Sequence, residues 1–255
     1  MSIIKKTATV VSQRQIGTGI YDMVLLFPEG AREAKPGQFL AMYCNDQTKL
    51  LPRPISICGI DAEAGTLRVV YRIAGEGTKQ FSEMKAGDTL EVMGPLGNGF
   101  TMKKEKAIIV GGGIGIPPML ELAKQLDCEK TVVLGYRDEL FLKEEFEDVA
   151  DVKIATEDGS MGTKGTVIDA IKACNVDGAV IYACGPMPML KALAEYAEEH
   201  QMEAQISLEE RMACGIGACL GCICKSKEKD HHTNVNNKRI CKDGPVFDAK
   251  EVVFP

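Results

Sequence analysis

Four cysteines toward the C-terminal end carry the most specific chemical pattern in the sequence. Cys214, Cys219 and Cys222 follow the spacing C-x4-C-x2-C, and Cys241 comes further along the chain. This spacing binds a [2Fe-2S] cluster when a more distant thiolate completes the set of ligands. The sequence therefore predicts a [2Fe-2S] cluster that is held by these four residues.

Three glycines lie among these cysteines: Gly215, Gly217 and Gly221. They leave the backbone free to bend around a cluster and to direct N–H groups at the sulfurs. A zinc site is an alternative, but zinc favours paired C-x2-C motifs, and only Cys219 and Cys222 form one. Cys224 is an alternative fourth ligand, although its closeness to Cys222 would force a cramped chelate.

A histidine pair, His231-His232, lies in the charged and polar segment from Lys225 to Arg239. Two histidines could indicate another metal site or a Rieske-type cluster. Because four cysteines already suffice for a cluster, we interpret this segment as a solvated loop.

Length, composition and charge limit the class of protein. The chain has 255 residues, long enough for two compact domains and a small module, and its formal charge of −6 argues against a nucleic-acid partner. No apolar run is long enough to span a bilayer, and the N-terminal residues do not resemble a signal peptide. Ten cysteines without a leader indicate a reducing compartment, so we expect a cytoplasmic protein.

The first part of the chain, residues 1–102, predicts a small antiparallel β-barrel. Short runs rich in β-branched and alternating apolar residues are separated by glycine and proline turns. The six predicted strands are Ala8–Gln15, Tyr21–Phe27, Gln38–Cys44, Ile55–Ile60, Leu67–Ile73 and Thr89–Met93. A short helix is expected from Lys79 to Met84.

Two segments of this barrel carry candidate ligand groups. Arg53-Pro54-Ile55-Ser56 offers a guanidinium fork that suits a phosphate or pyrophosphate, together with a serine hydroxyl. Gly77-Thr78 lies at the start of the expected helix, where N–H groups can bind an anion. Taken alone, the first could be a surface arginine before an edge-strand proline, and the second a plain turn.

The middle of the chain, residues 103–205, alternates strands with helices and so predicts a doubly wound parallel sheet. The expected strands are Ala107–Val110, Thr131–Gly135, Val152–Thr156 and Ala179–Cys184, and the expected helices are Pro117–Leu126, Leu140–Phe146, Thr166–Cys174 and Met187–His200. Residues 206–255, with a last strand near Gln205–Glu209 leading into them, form the third unit, the cysteine module.

The first of these strands leads into a glycine-rich turn made of Gly111, Gly112, Gly113 and Gly115. The turn departs from G-x-G-x-x-G because Pro118 occupies the place of the last glycine, but it still allows close approach of a pyrophosphate. After the second strand, one arginine and two acids follow in Tyr136-Arg137-Asp138-Glu139. The acids favour the free ribose of NAD over the 2′-phosphate of NADP.

Arg53-x-x-Ser56 followed by Gly77-Thr78 resembles the FAD site of the ferredoxin reductase family. The resemblance implies that Arg53 and the Gly77-Thr78 amides hold the pyrophosphate and that Ser56 lies near the reactive flavin ring. Val70-Tyr71-Arg72 would run along the cofactor, and Gly94-Pro95-Leu96-Gly97 at the end of the barrel is also typical of the family. Ile55 stands where that family commonly has tyrosine.

The resemblance extends to Cys184-Gly185-Pro186, which is similar to the family's motif beside the nicotinamide ring. It places the cysteine near the path of the hydride, so Ser56 and Cys184 are the candidate catalytic residues. Residues 1–102 would bind FAD, and residues 103–205 would bind NAD.

The order of the three units is similar to that of the electron transfer subunits of dihydroorotate dehydrogenase B. That resemblance implies FAD, a [2Fe-2S] cluster and NAD as cofactors. It also implies a catalytic partner subunit that contains FMN, a heterotetramer of two plus two subunits and a role in pyrimidine biosynthesis. A self-sufficient NADH-dependent reductase serving ferredoxin or an oxygenase is the alternative function. A non-catalytic binding module stabilised by zinc is a third possibility.

Overall fold

The structure is a computed structural model that describes residues 3–46, 48–229 and 234–255. The predicted solvated loop with His231 and His232 therefore lies partly outside the described residues. Among the helices of the described ranges, none is both long and apolar enough to cross a membrane.

Six antiparallel strands close into a barrel in the order β1-β2-β5-β4-β3-β6, which confirms the predicted architecture. Alternation along the strands supports this architecture, since Leu67 and Val69 on β5 are fully buried while Thr66 and Arg68 beside them are partly exposed. The strands are β1 Lys5–Gly17, β2 Ile20–Leu26, β3 Phe39–Met42, β4 Arg53–Asp61, β5 Thr66–Arg72 and β6 Thr89–Leu96.

Two short helices interrupt the barrel. Helix α1, Pro28–Glu33, was not predicted, and it begins with a proline that suits a first helical turn. Helix α2 spans Glu76–Ser82 and so begins three residues before the expected Lys79. The earlier start arises because the Thr78 hydroxyl accepts hydrogen bonds from the N–H groups of Ala74 and Gly75 at 2.8 and 3.2 Å.

The second unit is a sheet of seven strands in the order β10-β9-β8-β7-β11-β12-β15, and all pairings are parallel except the last. The parallel sheet predicted for this region is confirmed. Its strands are β7 Ala107–Gly112, β8 Lys130–Tyr136, β9 Asp151–Thr156, β10 Thr163–Lys164, β11 Val180–Cys184 and β12 Glu203–Ser207. The helices are α3 Pro117–Gln125, α4 Lys143–Glu147, α5 Val167–Ala173 and α6 Met187–Glu199.

The C-terminal tail forms a small hairpin and then returns to the large sheet. Its elements are β13 Ile223–Lys225, β14 Asn237–Arg239, α7 Ile240–Asp243 and β15 Val246–Asp248. Strand β15 pairs antiparallel with β12, so the cysteine module shares a sheet with the unit before it. The boundary at residue 206 stays a prediction.

Asn98, just after the last barrel strand, fixes this returning tail against the barrel. Its N–H donates to the Gly244 carbonyl at 2.7 Å, and its side chain exchanges two hydrogen bonds with the backbone of Val246 at 2.8 and 3.0 Å. A Cβ on the adjacent Gly97 would lie 2.7 Å from the Gly244 oxygen, so only glycine permits this approach. The tail is thereby attached to both the barrel and the sheet.

A buried ion-pair network joins the barrel to the α/β unit. Arg68 on β5 donates to both carboxylate oxygens of Asp22 at 2.8 and 2.9 Å and to both of Glu145, which lies on α4. The Asp22 side chain is only 6% exposed. The hydrogen bonds to Glu145 and Asp22 raise the pKa of Arg68, so it stays charged at every accessible pH.

We predict that Arg68→Met lowers the free energy of unfolding by about 3–5 kcal/mol, because it leaves a buried carboxylate without its main partner. Urea denaturation of the purified protein measures this change. Arg14→Met is the matched control, since Arg14 pairs with the same Asp22 but is 67% exposed, and it should cost less than about 1 kcal/mol. If both variants lowered the free energy of unfolding by the same amount, Arg68 would not be the main partner of the Asp22 carboxylate.

Candidate functional site

A cleft of about 750 Å³ lies between the barrel and the carboxyl ends of the parallel strands. A parallel sheet binds ligands at this edge because the loops and helix N-termini meet there. Ten predicted site residues line it together: Arg53, Pro54, Ile55, Ser56, Val70, Tyr71, Arg72, Thr78, Gly115 and Cys184. The other predicted ligand-binding residues adjoin these in the chain: Gly77, Gly111, Gly112, Gly113, Gly185 and Pro186.

Arg53 and Gly77 form one end of the cleft as an interlocking pair. The Arg53 guanidinium donates to the Leu51 carbonyl at 2.5 Å, and a Cβ on Gly77 would lie 2.0 Å from Arg53 Nε. The absence of a side chain at Gly77 is therefore what lets the guanidinium lie against the first turn of α2. Arginine and helical N–H groups at one place make a site for a pyrophosphate.

The middle of the cleft is formed by β4 and β5. Ser56 and Ile55 are half-buried there, and Ser56 pairs with Phe39 on β3. Tyr71 contributes differently, because its side chain is 1% exposed and donates a 2.8 Å hydrogen bond to Gln13 inside the barrel. What Tyr71 presents to a ligand is therefore mainly its backbone, and its ring supports the barrel core.

The glycine-rich turn packs directly against the end of β11. A Cβ on Gly115 would lie 2.5 Å from the Cys184 carbonyl, and one on Gly112 would lie 2.5 Å from Met189 Sδ. These glycines thus bring the start of α3 and the Cys-Gly-Pro segment to one side of the cleft. Pro117 and Pro118 begin α3, where missing N–H donors cost nothing.

Cys184 lies at the sheet side of the cleft as an un-ionised thiol. Burial, with a contribution from the Glu209 carboxylate, raises its pKa to about 12, and a hydrogen bond with Ser207 only partly opposes this. A neutral thiol can pack against a ring or hydrogen-bond to it, but it is not a nucleophile. The thiol therefore suits the positioning of a bound ring rather than covalent chemistry.

Sequence reasoning missed several residues of this cleft: Ser207, Leu208, Glu209, Arg211 and Met212. They lie at and just after the carboxyl end of β12, the edge at which ligands of a parallel sheet bind, so their position in the chain was an available signal. They also lead directly into the cysteine loop. The cleft and the loop are thus consecutive in the chain as well as adjacent in space.

In the cysteine loop, backbone N–H groups point at sulfurs. Ile216 and Ala218 donate to Cys214 Sγ at 3.5 and 3.3 Å, and Gly217 donates to Cys241 Sγ at 3.1 Å. Burial opposes ionisation of Cys214, but the N–H groups of Ile216 and Ala218, together with Cys219, outweigh it and lower its pKa to about 6. Such an array stabilises the thiolate that a metal cluster requires.

The four sulfurs are arranged as two pairs, since Cys219 hydrogen-bonds to Cys214 and Cys222 to Cys241. Burial, with the neighbouring Cys222, raises the pKa of Cys241 to about 12. Within the described ranges, no three His, Cys, Asp or Glu side chains gather closely enough to hold one metal ion. Four cysteine thiolates are the set of ligands that a [2Fe-2S] cluster requires.

Cys224 occupies a different environment from the four paired cysteines. It lies opposite Lys238 in the β13–β14 hairpin and packs against the apolar core, and burial raises its pKa. This favours Cys241 over Cys224 as the fourth ligand, an assignment that stays a prediction.

The cysteine loop rests on the outside of the barrel beside the cleft. A Cβ on Gly215 would lie 3.4 Å from Leu96, 3.6 Å from Met93 and 3.8 Å from Ala41, all on β3 and β6. Met212, two residues before Cys214, itself lines the cleft. The loop and the cleft therefore share one wall.

An antiparallel barrel joined to a parallel α/β sheet, with a ligand cleft between them and a cysteine loop beside it, defines an oxidoreductase of the ferredoxin reductase type. Residues 7–100 match the model of an oxidoreductase FAD-binding domain. Residues 209–253 match the iron–sulfur cluster binding domain of dihydroorotate dehydrogenase B.

Nearly the whole chain is similar to proteins named dihydroorotate dehydrogenase B (NAD(+)), electron transfer subunit. The protein of Caldanaerobacter subterraneus subsp. tengcongensis is 45% identical over 252 residues, covering 98% of this chain and 99% of the relative. That of Streptococcus mutans is 44% identical, covering 99% of each. The chain belongs to the family of dihydroorotate dehydrogenase B electron transfer subunits.

Solved structures share the fold. An NADH-dependent reduced ferredoxin-NADP oxidoreductase, described for flavin-based electron bifurcation, superposes with a TM-score of 0.87 at 29% identity, covering 97% of this chain and 90% of that one. The ferredoxin reductase of carbazole 1,9a-dioxygenase has a TM-score of 0.66 at 21% identity, covering 79% of this chain and 67% of that one. At 21% identity, the similarity to the carbazole 1,9a-dioxygenase reductase shows only that the fold is shared.

We predict that Gly77→Ala weakens FAD binding about ten- to a hundredfold, because the new methyl group displaces the Arg53 guanidinium and its charge-assisted hydrogen bonds. Quenching of flavin fluorescence on titration of the FAD-free protein measures the affinity. Gly75→Ala is the matched control, since a Cβ there meets no atom within 4 Å. An unchanged affinity in Gly77→Ala would contradict the pairing of Gly77 with Arg53.

Because the Cys184 thiol stays protonated up to about pH 12, we predict no step from its ionisation in the rate of NADH oxidation between about pH 7 and pH 10. Cys184→Ser should change the rate while leaving the shape of this pH profile intact. Steady-state kinetics with ferricyanide as acceptor measure both. A step near pH 9 that is present in the native protein and lost in the variant would show an exposed, ionising thiol instead.

Proposed function

We propose that this chain carries electrons from an FMN-containing dihydroorotate dehydrogenase catalytic subunit, through a [2Fe-2S] cluster and FAD, to NAD⁺ in pyrimidine biosynthesis. The observation that carries the proposal is the shared wall of the cleft and the cysteine loop. Met212 lines the cleft, and Cys214 lies two residues beyond it. A flavin in the cleft and a cluster in the cysteine loop would therefore lie close together.

FAD supplies the conversion between a hydride, exchanged with nicotinamide, and single electrons, exchanged with a one-electron centre. The chain's residues position the groups. Arg53 and the N–H groups at Gly77-Thr78 would bind the pyrophosphate, while Ser56 on the barrel side and Cys184 on the sheet side of the cleft would orient the reacting rings. No side chain of this set has to act as a general acid or base.

The family also indicates the setting of the protein. A catalytic dihydroorotate dehydrogenase subunit is the partner, and we propose an assembly of two copies of each subunit. We propose the cytoplasm as its location, since ten cysteines in one chain fit a reducing compartment in which thiols bind metal or stay reduced. We further propose residues 1–102, 103–205 and 206–255 as the FAD-binding, NAD-binding and cluster-binding units.

A second candidate is a self-sufficient reductase that serves ferredoxin or an oxygenase. The overall similarity to the ferredoxin-NADP oxidoreductase favours it, since the same parts serve both activities. The two functions can be distinguished by tagging this chain and identifying the untagged protein that purifies with it. An FMN enzyme that oxidises dihydroorotate supports the first function, whereas rapid reduction of ferredoxin by the chain alone supports the second.

The direct test is the absorbance spectrum of the purified protein, together with FAD, iron and acid-labile sulfide analysis. One FAD and two irons per chain are expected. Protein without flavin and iron–sulfur absorbance would contradict both electron-transfer functions and favour the zinc-stabilised module.

We predict that Cys219→Ser abolishes electron transfer to or from the catalytic partner, because the cluster loses one of its thiolates. NADH oxidation by artificial two-electron acceptors should be spared, since it needs only the FAD and nicotinamide sites. Cys174→Ser, at an exposed cysteine outside the loop, is the matched control and should retain both activities. Full coupled activity in Cys219→Ser would contradict the relay.

A further inference from the structure

The two peptide units on either side of the Gly217 Cα donate hydrogen bonds to two different cysteine sulfurs, one from each of the two cysteine pairs. The N–H of Gly217 donates to Cys241 Sγ at 3.1 Å, and the N–H of Ala218 donates to Cys214 Sγ at 3.3 Å. Gly217 has a φ of +81°, a conformation that favours glycine. The orientation of this one residue therefore controls hydrogen bonds to both halves of the cluster site.

Arg239 holds the second of these peptide units from its other side. Its Nη1 donates to the Gly217 carbonyl at 3.2 Å, and this carbonyl belongs to the same peptide unit as the Ala218 N–H. A continuous chain of hydrogen bonds thus runs from the guanidinium, through one peptide group, to Cys214 Sγ. Arg239 therefore acts on the cluster site without being one of its proposed ligands.

Asp243 in turn fixes Arg239. Its carboxylate accepts from Arg239 Nε and Nη2, both at 3.0 Å, and from the Arg239 N–H at 2.8 Å. A bidentate pair of this kind is geometrically specific. Arg239 directly precedes α7 and Asp243 is its last residue, so the two lie on either side of Cys241 in the chain, and the pair also sets the position of this helix against the Gly217 turn.

Hydrogen bonds to cluster sulfurs and nearby positive charge both stabilise the more negative, reduced state of an iron–sulfur cluster. A guanidinium on a carbonyl polarises the peptide and strengthens its N–H as a donor. We propose that Arg239 is a positioning residue that raises the reduction potential of the cluster through the Gly217–Ala218 peptide, held in place by Asp243. The inference rests on the cluster of the proposed function.

Three variants distinguish the effect of the Arg239 hydrogen bond from the effect of its positive charge. Arg239→Met removes both the hydrogen bond and the charge, while Arg239→Lys keeps the charge and loses the planar fork. Lys242→Met is the matched control, because it removes the same charge from an exposed side chain whose methylene groups lie beside Gly217. The charge effect alone is screened by solvent at such a position.

The experiment is a potentiometric titration of the full-length holoprotein, followed by the EPR signal of the reduced cluster. We expect a more negative midpoint potential in Arg239→Met, a smaller shift of the same sign in Arg239→Lys and almost none in Lys242→Met. The FAD potential should stay unchanged in all three. Equal shifts in Arg239→Met and Lys242→Met, or an unchanged potential in Arg239→Met, would overturn the proposal.

Iron and sulfide analysis accompanies each titration. If Arg239→Met does not retain iron, Arg239→Lys carries the test, and an unchanged potential in that variant overturns the proposal. Native protein that binds no iron would instead contradict the proposed function, so the two failures are distinguishable.

Discussion

The attachment of the C-terminal tail at Asn98 is the interaction on which the arrangement of the sites depends. Asn98 binds the backbone of Gly244 and Val246, and β15 then pairs with β12. Cys241 lies only a few residues before these anchors, and the remaining cysteines follow directly from β12. Both ends of the cysteine module are therefore fixed, one against the barrel and the other at the edge of the cleft.

Electron transfer needs fixed distances between centres rather than reactive side chains, and the structure reflects this need. The Arg68 network holds the barrel and the sheet together, the glycines at 111–115 let the turn approach β11, and the Asn98 contacts hold the module beside both. Each of these contacts depends on close backbone approach or a buried charge pair, which are the interactions that tolerate least displacement. The cleft itself contains a neutral thiol and a hydroxyl, which can orient rings without entering the chemistry.

Much of this organisation could be predicted from the sequence, because it follows from local patterns. Runs of β-branched and alternating apolar residues predicted the six barrel strands. Strand–helix alternation predicted the parallel sheet, and the cysteine spacing predicted the module. Contacts between distant residues could not be predicted. The pairing of β15 with β12, the burial of the Tyr71 ring inside the barrel and the bonds from Arg239 to the Gly217 turn depend on how the units pack together. The start of α2 was predicted late because the Thr78 hydroxyl, rather than a periodic apolar face, defines its first turn.

In the proposed relay, electrons pass between nicotinamide and the cysteine loop by way of a flavin in the cleft. The most direct measurement is anaerobic rapid mixing with NADH, followed by freeze-quench EPR of the cluster, on FAD-loaded protein and on the same protein stripped of FAD. We expect a reduced-cluster signal that forms only when FAD is bound and lags behind flavin bleaching. A cluster reduced equally fast without FAD would contradict it.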